Sequence, residues 1–208
     1  MSEAANEGAP DFELDVLAVF SHPDDAELTA GGTLLKLKSL GRTTGVLDMT
    51  RGEMGTRGTP EQRFEEARAA AEIMRLDVRL NLDQPDGHVF VTDEARTALV
   101  RVIRTYRPKV ILTAHWDDPH PDHAATARLA REAARLASMR RYDEGAGQAA
   151  VAMPALAHGD IDQDKLAEVV RYLCRRNFHW EFNVTNVSMI YDTGREQGVR
   201  CRFDFKGE

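Results

Sequence analysis

The stretch LAVFSHPDDAELTAGGTLL, residues 17–35, decides the fold. Its first residues, together with Val16, form a short apolar run that predicts a buried parallel strand. His22, Asp24 and Asp25 follow at once, so an imidazole and two carboxylates come directly after the carboxyl end of that strand. Open α/β sheets bind their ligands at this edge. The stretch therefore predicts both a parallel sheet and a site at its carboxyl edge.

A second predicted strand ends in the same residue types. Residues 109–114 read KVILTA and run into HWDDPHPDH, residues 115–123. His120 and His123 are three apart at the start of a predicted helix, which places them on one side of a turn. Histidine and carboxylate side chains are zinc ligands, and a catalytic zinc keeps three protein ligands. A single HxxH motif is more often an exposed surface feature than a metal site. Two clusters of histidine and aspartate, each directly after a predicted strand, instead predict a metal site.

Strands and helices alternate through residues 15–138. This order is typical of the α/β class, with a Rossmann-like open, mostly parallel sheet and helices on both faces. The predicted strands are Asp15–Phe20, Thr44–Met49, Val78–Leu82 and Lys109–Ala114. The predicted helices are Ala30–Leu40, Pro60–Met74, Asp93–Tyr106 and Pro121–Ser138.

The ends of the chain carry weaker patterns. Residues 1–12 are expected to be a flexible leader, and residues 13–208 a single α/β domain with an atypical last part, residues 143–208. Within that part, EGAGQAAVAMPALAHGD (144–160) is small-residue rich and is expected to be a loop.

Composition restricts the partners and the compartment. The net charge of −7, with no basic stripe, argues against a nucleic-acid partner. Two cysteines do not make a disulfide framework, which favours a reducing compartment. The N-terminal residues lack the features of a signal peptide, and no apolar run reaches the roughly 20 residues that span a bilayer. We therefore expect a cytoplasmic protein without a membrane partner.

Four motifs in a fixed order resemble the PIG-L or LmbE-like family of zinc-dependent N-deacetylases. They are SHPDDAE (21–27), GGT (31–33), TRGEMGTRGT (50–59) and PHPDH (119–123). The matches run through about residues 14–142. This family acts on conjugates that contain N-acetylglucosamine (GlcNAc), so the resemblance implies the LmbE-like fold and a small-molecule substrate of that type. Relatives are often trimers or hexamers, which implies a homo-oligomer.

Three longer phrases resemble one branch of the family. They are NLDQPDG (81–87), VIRTYRPKVILTAHWDDPHPDH (102–123) and SMRRYDE (138–144). That branch deacetylates N-acetylglucosaminyl-malate in bacillithiol biosynthesis. Nearer the end, the resemblance makes WEFNVTNVSMIYDT (180–193) the counterpart of a family strand and REQGVRCRF (195–203) the counterpart of the closing helix.

The resemblance also implies a role for the clustered residues. His22, Asp25 and His123 would hold the metal, and Asp24 would be the general base on metal-activated water. Zn²⁺ is the expected ion, although these ligand types also admit Fe²⁺ or another divalent ion. The two carboxylates in sequence would thus do different work, because one binds the ion and the other stays free.

The remaining implied roles lie around that centre. His120 would stabilise the oxyanion or protonate the leaving amine, and Asp122 would orient its imidazole. Arg51, in the loop after the second strand, would contact the substrate. Asp86 is left open between a site role and a turn. Three flanking residues stay outside the ligand set because the family pattern uses three ligands: His115, Asp117 and Asp118.

The predicted site residues were also compared with the needs of three other functions. A catalytically impaired sugar- or metal-binding relative would keep the fold, but it would not need the free carboxylate of Asp24. A deacetylase for another GlcNAc conjugate would use the same residues. A phosphoesterase is disfavoured, because two-metal phosphatases need more bridging carboxylates. We therefore expect a zinc-dependent N-deacetylase that hydrolyses the C–N bond of a linear amide.

Overall fold

The structure is a computed structural model that describes residues 12–56, 58–158, 186–192 and 197–204. The elements of its first part alternate along the chain: β1 (Val16–Phe20), α1 (Asp25–Ser39), β2 (Thr44–Thr50), α2 (Pro60–Met74), β3 (Val78–Gln84), α3 (Asp93–Tyr106), β4 (Val110–Thr113), α4 (Pro121–Ala137) and β5 (Ala155–His158). A short 3₁₀ helix, Glu144–Ala146, lies between α4 and β5. Contacts divide the chain into two compact units, Met1–Val170 and Arg171–Glu208.

The first unit contains one parallel sheet with the strand order β3-β2-β1-β4-β5. The predicted Rossmann-like α/β fold is confirmed. Strands β2 and β3 lie in turn on one side of β1. The chain then crosses to the other side of β1, where β4 and β5 lie. Because parallel crossovers are right-handed, this reversal places the helices on both faces of the sheet. The carboxyl ends of β1 and β4 meet at the switch point, where open sheets bind their ligands.

Both faces of the central strands are covered. All of β1 and all of β2 are buried, as expected of strands that carry helices on both faces. The core lies between these strands and the helix pair α3 and α4, whose apolar faces pack on one another. Its largest fully buried side chains include Leu17, Leu47, Leu99, Ile103, Ile111 and Leu129. This core holds the strand ends that carry the predicted site.

In the first unit, helix α1 and strand β5 differ from the sequence prediction, while the bounds of the other predicted elements agree with it to within two residues. Helix α1 begins at Asp25, not at Ala30, and follows Asp24 directly. Asp25 and Glu27 lie in the first turn and favour this early start, because carboxylates stabilise the N-terminus of a helix. The segment predicted as a loop contains β5, because a strand at the sheet edge can pair with β4 through its backbone without large apolar residues.

The second unit contains two antiparallel strands, β6 (Asn186–Asp192) and β7 (Gln197–Asp204). The expected strand at 180–193 is therefore found in part, while the closing helix expected over 195–203 is wrong. Val199, Cys201 and Phe203 alternate with polar residues, which is the period of a strand. Residues 1–11, most of the expected leader, lie outside the described residues. The assignment of residues 13–208 to one domain stays a prediction.

Within the part of the chain that the structure describes, no helix is both long enough and apolar enough to cross a bilayer.

Candidate metal centre and active site

The two predicted clusters meet at the switch point of the sheet. His22 and Asp25 lie in the turn from β1 into α1, and His123 lies in the first turn of α4. Ser21 Oγ and Thr126 Oγ1 are 2.8 Å apart and both residues are fully buried, so a hydrogen bond ties the end of β1 to α4. The fold thus joins residues that are far apart in sequence.

The three residues predicted to hold the metal form a compact triangle of donor atoms. Asp25 Oδ2 lies 3.3 Å from His22 Nδ1 and 3.2 Å from His123 Nε2. The two imidazole nitrogens are 3.3 Å apart. Donors at about 2.0–2.1 Å from a tetrahedral zinc are separated by about 3.3 Å, so the triangle fits one face of such a coordination shell. The residues present therefore fit a divalent ion.

Hydrogen bonds hold the corners of this triangle. The backbone N–H of His22 donates to Asp25 Oδ2 at 2.9 Å, which fixes the carboxylate within its own turn. On the far side of the rings, His22 Nε2 is 3.0 Å from Asp86 Oδ1, and His123 Nδ1 is 3.2 Å from Asp118 Oδ1. Each imidazole therefore has one nitrogen in the triangle and one nitrogen against a carboxylate, and His22 Nε2 also lies 3.6 Å from Asp122 Oδ2.

The charges within the cluster shift the pKa values of its members. Burial alone would raise the pKa of Asp25, but hydrogen bonds from His123 and His22 outweigh it and hold that pKa well below its usual value. Burial would lower the pKa of both imidazoles. Asp25 reverses this effect in both, with Asp86 adding to it at His22 and Asp118 at His123, so both pKa values are raised.

A second group of donors also includes His22. His22, His120 and Asp122 also place one donor atom each within 4.8 Å of one another. Asp122 is nearly fully buried, and its two oxygens accept the backbone N–H groups of Gly87 at 2.8 Å and Val89 at 3.2 Å. His22 Nε2 lies 3.6 Å from Asp122 Oδ2, which is wider than the distances of 3.2 and 3.3 Å between the donor atoms of the first group.

Asp24, the predicted base, points a half-exposed carboxylate toward Arg63 of α2. Arg63 Nη2 lies 3.1 Å from Asp24 Oδ1. The guanidinium runs close to the β2–α2 loop: a Cβ on Gly52 would lie 2.7 Å from Arg63 Nε, and one on Gly55 would lie 2.5 Å from Nη1. These glycines therefore let Arg63 reach Asp24. Nothing in the sequence pattern of α2 singled out Arg63.

His120 is the N-cap residue of α4, and its ring stands beside the triangle. The backbone N–H of Asp122 donates to His120 Nδ1 at 3.2 Å, so the contact between the two residues runs through the main chain. The ring stacks on His123 with centroids 4.6 Å apart and meets His22 edge-on at 4.9 Å. The role predicted for the Asp122 carboxylate, to orient His120, stays a prediction.

Arg51 lies on the rim of the site. Its Nε is 2.6 Å from Asp83 Oδ1, and both side chains are more than half exposed. It lines a cavity of about 190 Å³, together with Phe64, Arg68 and Asn81 among others. The cavity also reaches Pro23, which adjoins the metal cluster. The structure therefore places Arg51 in the same cavity as Pro23, next to the cluster.

Fold and site together define an α/β protein with a cluster of metal-ligand type at the switch point of its sheet. The family described as PIG-L: GlcNAc-PI de-N-acetylase matches residues 17–134. The chain belongs to this family, as its motifs indicated.

Known proteins are similar to this chain over much of its length. The diacetylchitobiose deacetylase of Thermococcus kodakarensis is 33% identical over 62% of this chain and 52% of its own. A 1D-myo-inositol 2-acetamido-2-deoxy-alpha-D-glucopyranoside deacetylase of Nocardioides is 29% identical over 78% of this chain and 67% of its own. The crystal structure of the conserved protein TT1542 from Thermus thermophilus is 45% identical, with a TM-score of 0.65 over 69% of this chain and 64% of that one.

The chain thus spans about half the length of the Thermococcus relative and about two thirds of the Nocardioides relative.

Proposed function

We propose that this chain is a metal-dependent N-deacetylase that removes the acetyl group from a GlcNAc conjugate. The observation that carries the proposal is the triangle of His22, Asp25 and His123, with the imidazole of His120 beside it. Two similar proteins, named deacetylases of GlcNAc-containing compounds, support the substrate class. Zn²⁺ is the proposed ion, and the donor set also admits Fe²⁺ or another divalent ion.

The reaction divides between the ion and the residues around it. A divalent ion held by His22, Asp25 and His123 would polarise the amide carbonyl and lower the pKa of water. Asp24 takes the proton from the water whose oxygen adds to the carbonyl carbon. Asp24 suits this work because Arg63 holds the carboxylate through one oxygen, Oδ1, and because the side chain is half-exposed.

His120 stabilises the developing charge in the proposed reaction. Its Nδ1 accepts a hydrogen bond from the backbone of Asp122, which assigns the proton of the neutral ring to Nε2. Nε2–H can donate a hydrogen bond to the oxyanion as the carbonyl becomes tetrahedral, and the ring keeps this proton. When the C–N bond breaks, the amine takes the proton that Asp24 accepted from the water, which restores the Asp24 carboxylate and leaves acetate as the second product.

The finer substrate assignment rests on the phrases in the sequence. We propose N-acetylglucosaminyl-malate as the substrate, with Arg51 at the rim in contact with it. A catalytically impaired binding relative would keep the triangle, but Asp24 would then have no chemical task. The low cysteine content supports a cytoplasmic location, which also stays a proposal.

The decisive experiment measures acetate and free amine released from a panel of GlcNAc conjugates. Metal-stripped protein is loaded with Zn²⁺ or Fe²⁺ and offered N-acetylglucosaminyl-malate, diacetylchitobiose and a GlcNAc–inositol conjugate. We expect equal amounts of acetate and amine, loss of activity with a chelator, and the highest kcat/KM for the malate conjugate. Higher kcat/KM for another conjugate would correct the substrate alone. A metal-loaded protein that binds these sugars without releasing acetate would support the impaired relative instead.

We also propose a homo-oligomer, a trimer or a hexamer. The proposal rests on the family resemblance. Light scattering coupled to size-exclusion chromatography should give three or six times the 23.2 kDa of one chain. A mass of one chain at micromolar concentration would contradict it.

A further inference from the structure

We propose that Asp86 and Asp118 are positioning residues that determine which nitrogen of each imidazole faces the metal. In this way they would set the metal affinity of the centre. The inference rests on the metal centre proposed above, and it concerns two residues that the sequence left open or placed outside the ligand set. Neither touches the triangle through a donor atom of its own, because each lies on the far side of one ring.

The two rings present different nitrogens to the triangle. His22 uses Nδ1, and its Nε2 faces Asp86 at 3.0 Å. His123 uses Nε2, and its Nδ1 faces Asp118 at 3.2 Å. A neutral imidazole has one N–H and one lone pair, and only the lone pair can bind a metal. Each carboxylate accepts an N–H, so it holds the proton away from the triangle and leaves the lone pair inside it.

Asp118 contacts the imidazole of His123 through a single carboxylate oxygen. Oδ1 lies 3.2 Å from His123 Nδ1 and also accepts the backbone N–H of His120 at 2.8 Å. An asparagine with its amide oxygen in this place would keep both bonds and direct its NH₂ toward the position of Oδ2. Substitution of Asp118 by Asn should therefore preserve the tautomer of His123.

Asp86 uses both of its oxygens. Oδ1 faces His22 Nε2, while Oδ2 accepts the backbone N–H of Met54 at 2.8 Å. An asparagine has only one acceptor to serve two donors. If its oxygen faces Met54, its NH₂ faces His22 Nε2, draws the proton of the ring to Nδ1 and directs an N–H into the triangle. The same substitution should thus be harmful at Asp86 and mild at Asp118.

The experiment measures the Zn²⁺ affinity of metal-stripped protein by competition with a chromophoric chelator. We expect Asp86→Asn and Asp118→Ala each to weaken binding by about 10–100-fold, the usual effect of removing a carboxylate that supports a ligand imidazole. Asp118→Asn should stay within about threefold of the unmodified protein. Asp117→Asn is the matched control, because it removes a neighbouring carboxylate in the same loop and should leave the affinity unchanged.

A second measurement separates a tautomer effect from a loss of structure. Long-range ¹H–¹⁵N NMR at alkaline pH, where the imidazoles are neutral, should show His22 with its proton on Nε2 and His123 with its proton on Nδ1. Asp118→Ala should change the His123 pattern and leave the His22 pattern. If Asp86→Asn does not fold, the three variants at Asp117 and Asp118 still decide the role of Asp118, and a His22 ring in the unmodified protein with its proton on Nδ1 would overturn the role of Asp86.

The outcomes distinguish this inference from the proposed function. An unmodified protein that binds Zn²⁺ tightly, with Asp86→Asn and Asp118→Ala equally tight, overturns the role of these carboxylates and leaves the deacetylase proposal intact. An Asp117→Asn protein weakened as much as Asp118→Ala also overturns it, since charge alone would then explain the effect. An unmodified protein that binds no divalent ion overturns the inference and the metal centre together.

Discussion

His123→Ala is expected to lose the bound metal and all metal-dependent deacetylation while it keeps its fold. The substitution removes one corner of the triangle, so an ion would retain only Asp25 and His22 as protein ligands. Helix α4 should survive, because alanine is the best helix former and the helix is anchored by buried residues such as Leu129 and Ala130. Metal analysis of the purified variant should give a small fraction of one ion per chain.

Thermal unfolding provides an independent measurement. An ion that binds only the folded state stabilises it by mass action, so added Zn²⁺ should raise the Tm of the unmodified protein. The same addition should leave the Tm of His123→Ala unchanged. Full metal occupancy in this variant would contradict the ligand assignment.

His120→Ala is the matched control, since it removes the neighbouring imidazole at the start of the same helix. If His22, Asp25 and His123 are the ligands, His120→Ala keeps its metal and loses rate. If His22, His120 and Asp122 were the ligands, His120→Ala would lose its metal and His123→Ala would keep it. The pair of variants therefore decides between the two donor groups that share His22.

The sequence predicted the parts of the fold that local chemistry specifies. Helices α2 and α3 have the predicted bounds, because each begins after a threonine whose side chain accepts a backbone N–H of the first turn: Thr59 for α2 and Thr92 for α3. Each ends at an arginine in the left-handed region, Arg75 or Arg107. Buried strands such as β1 were found from their continuous apolar runs.

Elements that depend on contacts with distant parts of the chain could not be predicted from local sequence. Strand β5 contains only small residues, one leucine and one histidine, and its identity comes from pairing with β4 along the sheet edge. Helix α1 was predicted to begin at Ala30, but it begins at Asp25. Its start is determined by the turn after β1, in which the carboxylate of Asp25 accepts the N–H of His22.

In the candidate site, too, some residues could be predicted from local sequence and others depend on contacts between distant parts of the chain. Residues after strand ends were predictable, because the carboxyl ends of neighbouring parallel strands share one edge of the sheet. Arg63 was not, because its contact with Asp24 depends on the packing of α2 beside α1 and on a loop that passes the guanidinium closely at Gly52 and Gly55. Asp118 stood next to the motif, yet only the geometry assigns its oxygen to His123.

Asp24→Asn is expected to bind metal and substrate as the unmodified protein does and to lose most of its turnover. The amide has the shape of the carboxylate but cannot accept the proton of the attacking water. Positioned general bases contribute about 10²–10⁴-fold, so kcat should fall by that factor. KM should change little, because the amide oxygen can still accept a hydrogen bond from Arg63, whose Nη2 lies 3.1 Å from Asp24 Oδ1.

The fold should tolerate this substitution for a structural reason. Asp24 occupies the N-cap of α1, but its side chain makes no capping hydrogen bond, so the helix loses no acceptor when Asn replaces it. Asp117→Asn, which removes a carboxylate in the β4–α4 loop, serves as the control and should retain its rate. Measurements of kcat, KM and metal content on both variants separate three results. Unchanged turnover in Asp24→Asn would show that Asp24 is not the general base. Loss of the metal would show that Asp24 is a metal ligand. Lost turnover with metal and KM intact is the signature of a base, because only the proton transfer has been removed.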